Sequence, residues 1–97
     1  MLLNVYSFYD SAAQAYLQPF FLQTDQVAKR TFTTVLNDPE HNFTQAPADY
    51  TLFKIGIWSD ETGIITKLKE HLNLGNGLDN APKPAQTPLK PKLVEEK

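Results

Sequence analysis

The chain contains no cysteine among its 97 residues, which excludes disulfide bonds and cysteine-ligated zinc sites. No segment approaches the roughly 20 apolar residues that a membrane-spanning helix needs. The first four residues, MLLN, include neither a basic segment nor a long apolar one, so they do not resemble a signal peptide. We therefore expect a soluble protein of a reducing compartment such as a cytoplasm, with no membrane partner.

Residue sets with catalytic or metal-binding chemistry are also lacking. The two histidines, His41 and His71, are far apart in sequence, and neither lies in a nucleophile or metal-ligand motif. The adjacent Asp60 and Glu61 fall in a predicted hairpin loop, whereas a general acid needs burial or a like-charge neighbour in a cleft. We expect no catalytic residue, no metal site and no cofactor, and therefore a protein that is not an enzyme.

Charge is distributed unevenly along the chain, whose formal net charge is -2. Residues 1–79 contain five Lys/Arg and nine Asp/Glu, whereas residues 80–97 contain four lysines, two glutamates and four prolines. The second stretch has few apolar residues and no periodicity. The composition predicts one acidic α+β domain over residues 1–79 and a disordered Pro/Lys-rich tail over residues 80–97.

Two aromatic-rich segments near the start of the chain have the composition of β-strands. Residues 2–9 carry large apolar side chains on both faces, which is typical of a central or covered strand. Residues 16–22 also favour a strand, but Pro19 lies inside the segment, and proline cannot donate to a sheet ladder. We predict an edge strand there, or a strand bulged at Pro19.

A helix is predicted to follow Thr24. Thr24 is a favourable N-cap, and Asp25 complements the positive end of the helix dipole. Apolar residues then recur at the helical period as far as Leu36, with Lys29 and Arg30 on the water-facing side. The Asn-Asp-Pro sequence that follows Leu36 ends the helix, because a residue before proline is driven out of the α region.

The second half of the chain predicts a β-hairpin. Residues 50–58 have strong strand composition, and residues 64–68 return as a shorter, lysine-flanked edge strand. Residues 69–74 fit either a helical turn or an extension of that strand, and the sequence GNG at 75–77 predicts the end of regular structure. The order β-β-α-β-β predicts an α+β fold, in which one amphipathic helix packs on one face of a four-stranded antiparallel sheet in two layers.

One helix covers only one face of such a sheet, so the other face keeps large apolar side chains. Three coverings are open at this point. The first is a second copy of the chain or another protein, and the second is a nucleic-acid strand stacked on the rings. The third is the chain itself, through residues 40–49 and 69–79.

Candidate contact residues follow from this geometry, for either a protein partner or single-stranded DNA. Regular alternation along residues 50–58 places Tyr50, Lys54 and Trp58 on one face. Packing in the core is the competing interpretation for the aromatic residues. The full set consists of the aromatics Tyr6, Phe8, Tyr50 and Trp58 with the cations Lys29, Arg30 and Lys54.

Three strings in the sequence resemble a known family. They are VYSFYDS at residues 5–11, AYLQPFF at 15–21 and ADYTLFKIG at 48–56. These segments look like the small nonstructural protein of gokushoviruses, which are tailless, circular single-stranded DNA phages of the Microviridae. The similarity covers roughly residues 4–68, with the predicted helix in the expected place.

The resemblance implies a role in viral DNA replication and packaging, and it identifies no catalytic residue. The family protein is likened to the C protein of the coliphage branch of Microviridae, which is thought to shift replication from duplex to single-strand DNA synthesis coupled to packaging. We therefore expect a nonstructural accessory protein in the host bacterial cytoplasm. It would act as a homodimer and through contacts with the replication initiator or the procapsid. The alternative is a single-stranded DNA-binding protein that uses sheet aromatics and lysines.

Overall fold

A computed structural model of the chain describes residues 1–80, which form an antiparallel sheet with one long helix packed on one face. The predicted tail lies outside the described residues, apart from Asn80. The strands are β1 Leu2–Asp10, β2 Ala15–Tyr16, β3 Phe20–Leu22, β4 Tyr50–Ser59 and β5 Ile65–Asn76. The helices are α1 Asp25–Leu36, α2 Asn42–Gln45, a 3-10 helix at Pro47–Asp49, and α3 Gly77–Asn80.

The strand order is β2-β1-β4-β5, and β3 also pairs with β1. Each of these pairings is antiparallel. The strand predicted over residues 16–22 is divided into β2 and β3, with Pro19 between them, because proline has no N–H to give to a ladder. The predicted α+β class, with an antiparallel sheet and one main helix, is confirmed.

The last strand is longer than predicted. Residues 69–74 extend β5, which therefore continues as far as Asn76 and is not ended by the sequence GNG. Gly75 makes this possible, because its φ of +132° is a conformation that residues with a side chain rarely adopt.

Helix α1 begins and ends where the sequence predicts. The Thr24 hydroxyl accepts a hydrogen bond from the Val27 amide at 3.2 Å, which caps the first turn. Ala28, Phe32 and Leu36 recur along one side and are buried against the sheet. They form the helical half of the core.

The sheet half of the core is largely aromatic. Phe8 lies with its ring centre 4.8 Å from that of Phe32 and 4.9 Å from that of Phe43. Phe43, carried by α2, also stacks on Tyr50 at 4.0 Å. The segment over residues 40–49 therefore packs on the same side of the sheet as α1.

A polar network fastens the start of α1 to the sheet. The Tyr6 hydroxyl donates to Asp25 Oδ1 at 2.7 Å, and Lys54 Nζ lies 3.1 Å from the same oxygen. Asn4 Nδ2 donates to the Tyr6 oxygen at 3.1 Å. The network joins β1, β4 and the first helical turn, so it fixes where the helix crosses the sheet.

The network changes the acidity of two of its members. Burial, reinforced by the bond to Asp25, raises the pKa of Tyr6 to about 12 from 10.0. Burial acts to raise the pKa of Asp25 as well, but the hydrogen bonds from Tyr6 and Lys54 and the charge of Lys54 outweigh it, so the net pKa is lowered.

The raised pKa of Tyr6 predicts a loss of stability at alkaline pH. The folded state holds the phenol proton more tightly, so this contribution is complete below the unfolded pKa of 10.0 and is lost as pH rises towards about 12. The free energy of unfolding, measured in urea on the full chain at pH values from about 8 to about 11.5, should fall over this range. Tyr6→Phe should remove the contribution of this group from the alkaline slope. Asp25→Asn should reduce the contribution of Tyr6 to this slope without removing it, because Tyr6 stays buried. Equal slopes in Tyr6→Phe and the natural protein would contradict the assignment.

Candidate functional site

The sheet face opposite α1, here called the outer face, carries a second aromatic layer. Side chains alternate between faces along a strand, so Ser7 and Tyr9 face away from the helix-side residues Tyr6 and Phe8. Ladder partners share a face, which places Tyr16 beside Tyr9 and Phe21 beside Val5. The rings of the outer face are those of Tyr9, Tyr16, Phe21, Phe53, Trp58 and His71.

One group of rings extends across four strands. The Tyr16 ring centre lies 4.9 Å from that of Tyr9, 5.9 Å from that of Phe53 and 5.4 Å from that of His71. The Tyr16 hydroxyl and His71 Nδ1 are 2.9 Å apart and hydrogen bonded. Tyr16 is 43% exposed, so this group presents ring surface to the outside.

A second group lies at the other end of the outer face. The rings of Phe21 and Trp58 meet edge to face, with centres 5.7 Å apart, and line a shallow apolar pocket. Ile65, the ladder partner of Trp58, is exposed beside them. Phe21 is itself 40% exposed. The pocket therefore opens on apolar surface that nothing within residues 1–80 covers.

The chain covers the centre of the outer face between the two groups. Ser7 is buried and its hydroxyl donates to the carbonyl oxygen of Leu17 at 2.6 Å. The Leu17 amide in turn donates to the Phe8 carbonyl oxygen at 2.8 Å. Residues 40–49 and 69–79 are one of the three coverings that the sequence leaves open. The structure contradicts this covering, since the first segment packs on the helix side and much of the second continues β5.

A bulge in β4 decides which aromatic residues reach the outer face. Consecutive residues Val5 and Tyr6 of β1 pair with Gly56 and Lys54, so Ile55 is an extra residue. Lys54 consequently faces α1, whereas Trp58 faces outward. Gly56 allows β5 to approach at this point, because a Cβ added there would lie 2.8 Å from the Thr66 carbonyl oxygen.

The seven predicted contact residues are not brought together. Tyr6 is 0% exposed, and Phe8 and Tyr50 pack against the core, so these rings are held by α1 and Phe43 and are closed to a stacking partner. Lys54 faces the helix and pairs with Asp25. These four placements correct the expectation of a shared contact surface. Lys29 and Arg30 are exposed on α1, in the other layer, and Trp58 alone of the seven lies on the outer face.

Sequence reasoning missed most of the rings that form the outer face. The sequence pattern assigns Tyr16 and Phe21 to a strand and gives His71 no role, so it predicts none of the three as a contact residue. The sequence does contain a signal that Trp58 lies on the opposite face from Tyr50. An isolated glycine inside a strand, such as Gly56, often marks a bulge. The missed residues are Tyr9, Tyr16, Phe21, Phe53 and His71.

The charge of the described part is acidic, with nine carboxylates and five Lys/Arg within residues 1–80. Lys67 lies on the outer face as the ladder partner of Gly56. Within residues 1–80, no group of three or more His, Cys, Asp or Glu side chains is arranged to hold a metal ion. None of the helices in that part of the chain is long and apolar enough to cross a membrane.

Comparison with known proteins identifies the family. The family model described as Phage ORF5 protein matches residues 3–80, so the chain belongs to that family and is a small phage-encoded protein. No curated protein and no solved structure matches the chain. The matched range includes the whole outer face and all five strands except Leu2.

Gly56→Ala should destabilise the protein, because the new methyl group would press on the backbone of β5 in a place where no flexible side chain can yield. We expect a loss of about 1–3 kcal/mol in the free energy of unfolding, measured in urea. Near-ultraviolet circular dichroism should show a changed signal from Trp58, the one tryptophan. Lys67→Ala, at the partner position in the same ladder, is the control and should cost less than about 0.5 kcal/mol. Equal effects of the two substitutions would contradict the close approach.

Proposed function

We propose that this phage protein is a nonstructural accessory protein that regulates viral genome replication or packaging through protein–protein contacts, and that it has no enzymatic activity. Membership of the Phage ORF5 protein family supports the phage origin. The resemblance of residues 5–11, 15–21 and 48–56 to the gokushovirus nonstructural protein, itself likened to the coliphage C protein, supports the process. The proposed location is the host bacterial cytoplasm.

The observation that carries the proposal is the outer face itself. Exposed aromatic and aliphatic side chains concentrated on one side of a small protein are typical of a contact surface. Aromatic residues are also enriched in the centres of protein interfaces, where charged residues are depleted. The acidic charge of residues 1–80 favours a protein partner over a phosphate backbone.

We assign a second copy of the chain as the first partner of this face. The outer face is about four strands wide and eight residues long, so its whole outline, which includes the covered centre, is roughly 500 Å² at ordinary strand spacings. Two such faces packed together would bury at most about 1,000 Å², which is the lower limit for a specific interface and fits a dimer that forms at high protein concentration. Sheets pack face to face in this way when both present apolar side chains. Contacts with the replication initiator or the procapsid would be made by this homodimer.

Light scattering on the full chain should give a mass near twice 11.0 kDa at high protein concentration. Phe21→Glu places a charge in the proposed interface and should shift the protein to a monomer. Val27→Glu on α1 is the matched control, because Val27 is 38% exposed and Phe21 40%, and it should leave the dimer intact. A strict monomer at every concentration, or equal effects of both variants, would contradict the assignment.

Binding of single-stranded DNA is the second candidate function, and one observation favours it. The outer face presents stackable rings on several strands, with Lys67 among them, and such sheets accept nucleic-acid bases in other proteins. The candidate needs no catalytic group and fits the same resemblance.

A measurement of DNA binding at low salt separates this candidate from the first. Fluorescence anisotropy of a labelled single-stranded oligonucleotide should rise on addition of the full chain at low salt if the candidate holds, and Lys67→Glu should weaken the binding. Lys29→Glu, on the opposite layer, should then have a smaller effect. If no binding is measurable at low salt, the second candidate is excluded.

A further inference from the structure

Strand β5 forms one edge of the sheet. One side of it pairs with β4, and no strand within residues 1–80 pairs with the other side. Near its end the strand is closed by α3, because the Asn76 amide donates to Asp79 Oδ2 at 3.1 Å and Asn80 Nδ2 donates to the Asn76 carbonyl oxygen at 2.9 Å. The open part of this edge therefore lies nearer the start of β5.

An irregularity in β5 shortens the open part further. The register shifts between the partners of Lys54 and Gly56, so residues 68–71 of β5 lie opposite Ile55 alone. A bulge of this kind prevents long, regular pairing with another strand. Residues 65–67 come before the irregularity and pair in unbroken register with β4. This short stretch is the part of the edge that can accept a further strand.

The hydrogen bonds of the hairpin determine which backbone groups of this stretch point away from β4. The Ser59 amide donates to the Ile64 carbonyl oxygen at 3.1 Å, so these two residues form a hydrogen-bonded pair. Hydrogen-bonded and non-hydrogen-bonded pairs alternate along an antiparallel ladder. Thr66 therefore bonds to β4, whereas Ile65 and Lys67 direct their backbone N–H and C=O groups to the open side. Both residues are exposed, so these groups are accessible to a strand from outside.

The side chains of the same two residues indicate what kind of strand fits. Ile65 and Lys67 lie on the outer face as the ladder partners of Trp58 and Gly56. Lys67 forms no salt bridge within residues 1–80. Opposite charges directly across two strands stabilise their pairing, as do apolar side chains. A strand added here is therefore favoured by a carboxylate opposite Lys67 and an apolar side chain opposite Ile65.

A second copy of the chain does not supply such a strand. Two β5 strands paired at this edge by two-fold symmetry would place the Lys67 side chains of both copies on one face, where like charges repel. At the other end of the strand order, β2 and β3 are two and three residues long and contain no carboxylate. The fitting segment therefore belongs to a different protein.

We infer that residues 65–67 of β5 bind an extended segment of another protein, which joins the sheet as a strand and places a carboxylate beside Lys67. The inference rests on the proposed function in taking a protein as the partner, and it deepens that function by giving the partner a site of its own. Sheets that pack face to face keep their edges open, so a dimer formed through the outer face leaves this site accessible.

A synthetic peptide tests the site on the full chain. The peptide TETVTET, labelled with fluorescein, can place valine opposite Ile65 and glutamate opposite Lys67. Its fluorescence anisotropy should rise as the chain is added at low salt. N-methylation of the valine removes an N–H that faces Ile65 and should weaken binding about fivefold or more. N-methylation of the threonine before it is the matched control and should have little effect, because that N–H points away from β5.

Charge reversal tests the role of Lys67. Lys67→Glu should weaken binding of TETVTET about threefold or more and should strengthen binding of the lysine peptide TKTVTKT. Lys29→Glu on α1 changes the net charge equally and should alter neither affinity to that extent. The inference is overturned by any of three results: no binding of TETVTET, equal losses from the two N-methylations, or equal effects of the two substitutions.

Failure of this inference is distinguishable from failure of the proposed dimer. Phe21→Glu should give a monomer that still binds TETVTET, because the peptide joins the edge of the sheet and the dimer forms through the face. A protein that dimerises but does not bind the peptide contradicts this inference alone. A strict monomer that binds the peptide contradicts only the assignment of a second copy to the outer face.

Discussion

The extra residue Ile55 in β4 determines which side of the sheet each large side chain of that strand occupies. Val5 and Tyr6 are adjacent in β1, yet their partners Gly56 and Lys54 are two residues apart. Lys54 therefore faces α1 and reaches Asp25, while Trp58 faces outward and meets Phe21. The attachment of the helix and the composition of the outer face both depend on this one irregularity.

The fold was predictable wherever local chemistry decides the structure. Thr24 and the residues after Leu36 mark the two ends of α1 because capping and proline act over a few residues. Pro19 predicts the interruption between β2 and β3 for the same reason. The length of β5 was not predictable from the sequence GNG, because Gly75 lies inside the strand at a positive φ and is held there by its pairing with β4.

The candidate site was less predictable, because it depends on how strands pair over long distances. Two-sided apolar composition in residues 2–9 predicts large apolar side chains on both sheet faces, and the structure has them. It does not say which face lies under the helix, and Tyr6 and Tyr9 are similar residues with opposite placements. Regular alternation also assigns Trp58 to the side of Tyr50, and the bulge reverses that assignment. Gly56 indicates a bulge, but the glycine alone does not determine how the bulge shifts the pairing register of the strand.

The bulge also sets the balance between rings and charge on the outer face. A regular strand would place Lys54 on the same side as Trp58, where a cation beside a ring suits a phosphate backbone next to a stacked base. In the actual register Lys54 pairs with Asp25 beneath α1, and the outer rings lie in an acidic domain with Lys67 beside them. Little positive charge lies beside these rings, so the surface suits the protein partner proposed above better than a phosphate backbone. The irregularity that completes the core therefore also removes a cation from the opposite face, where we propose that a protein partner binds.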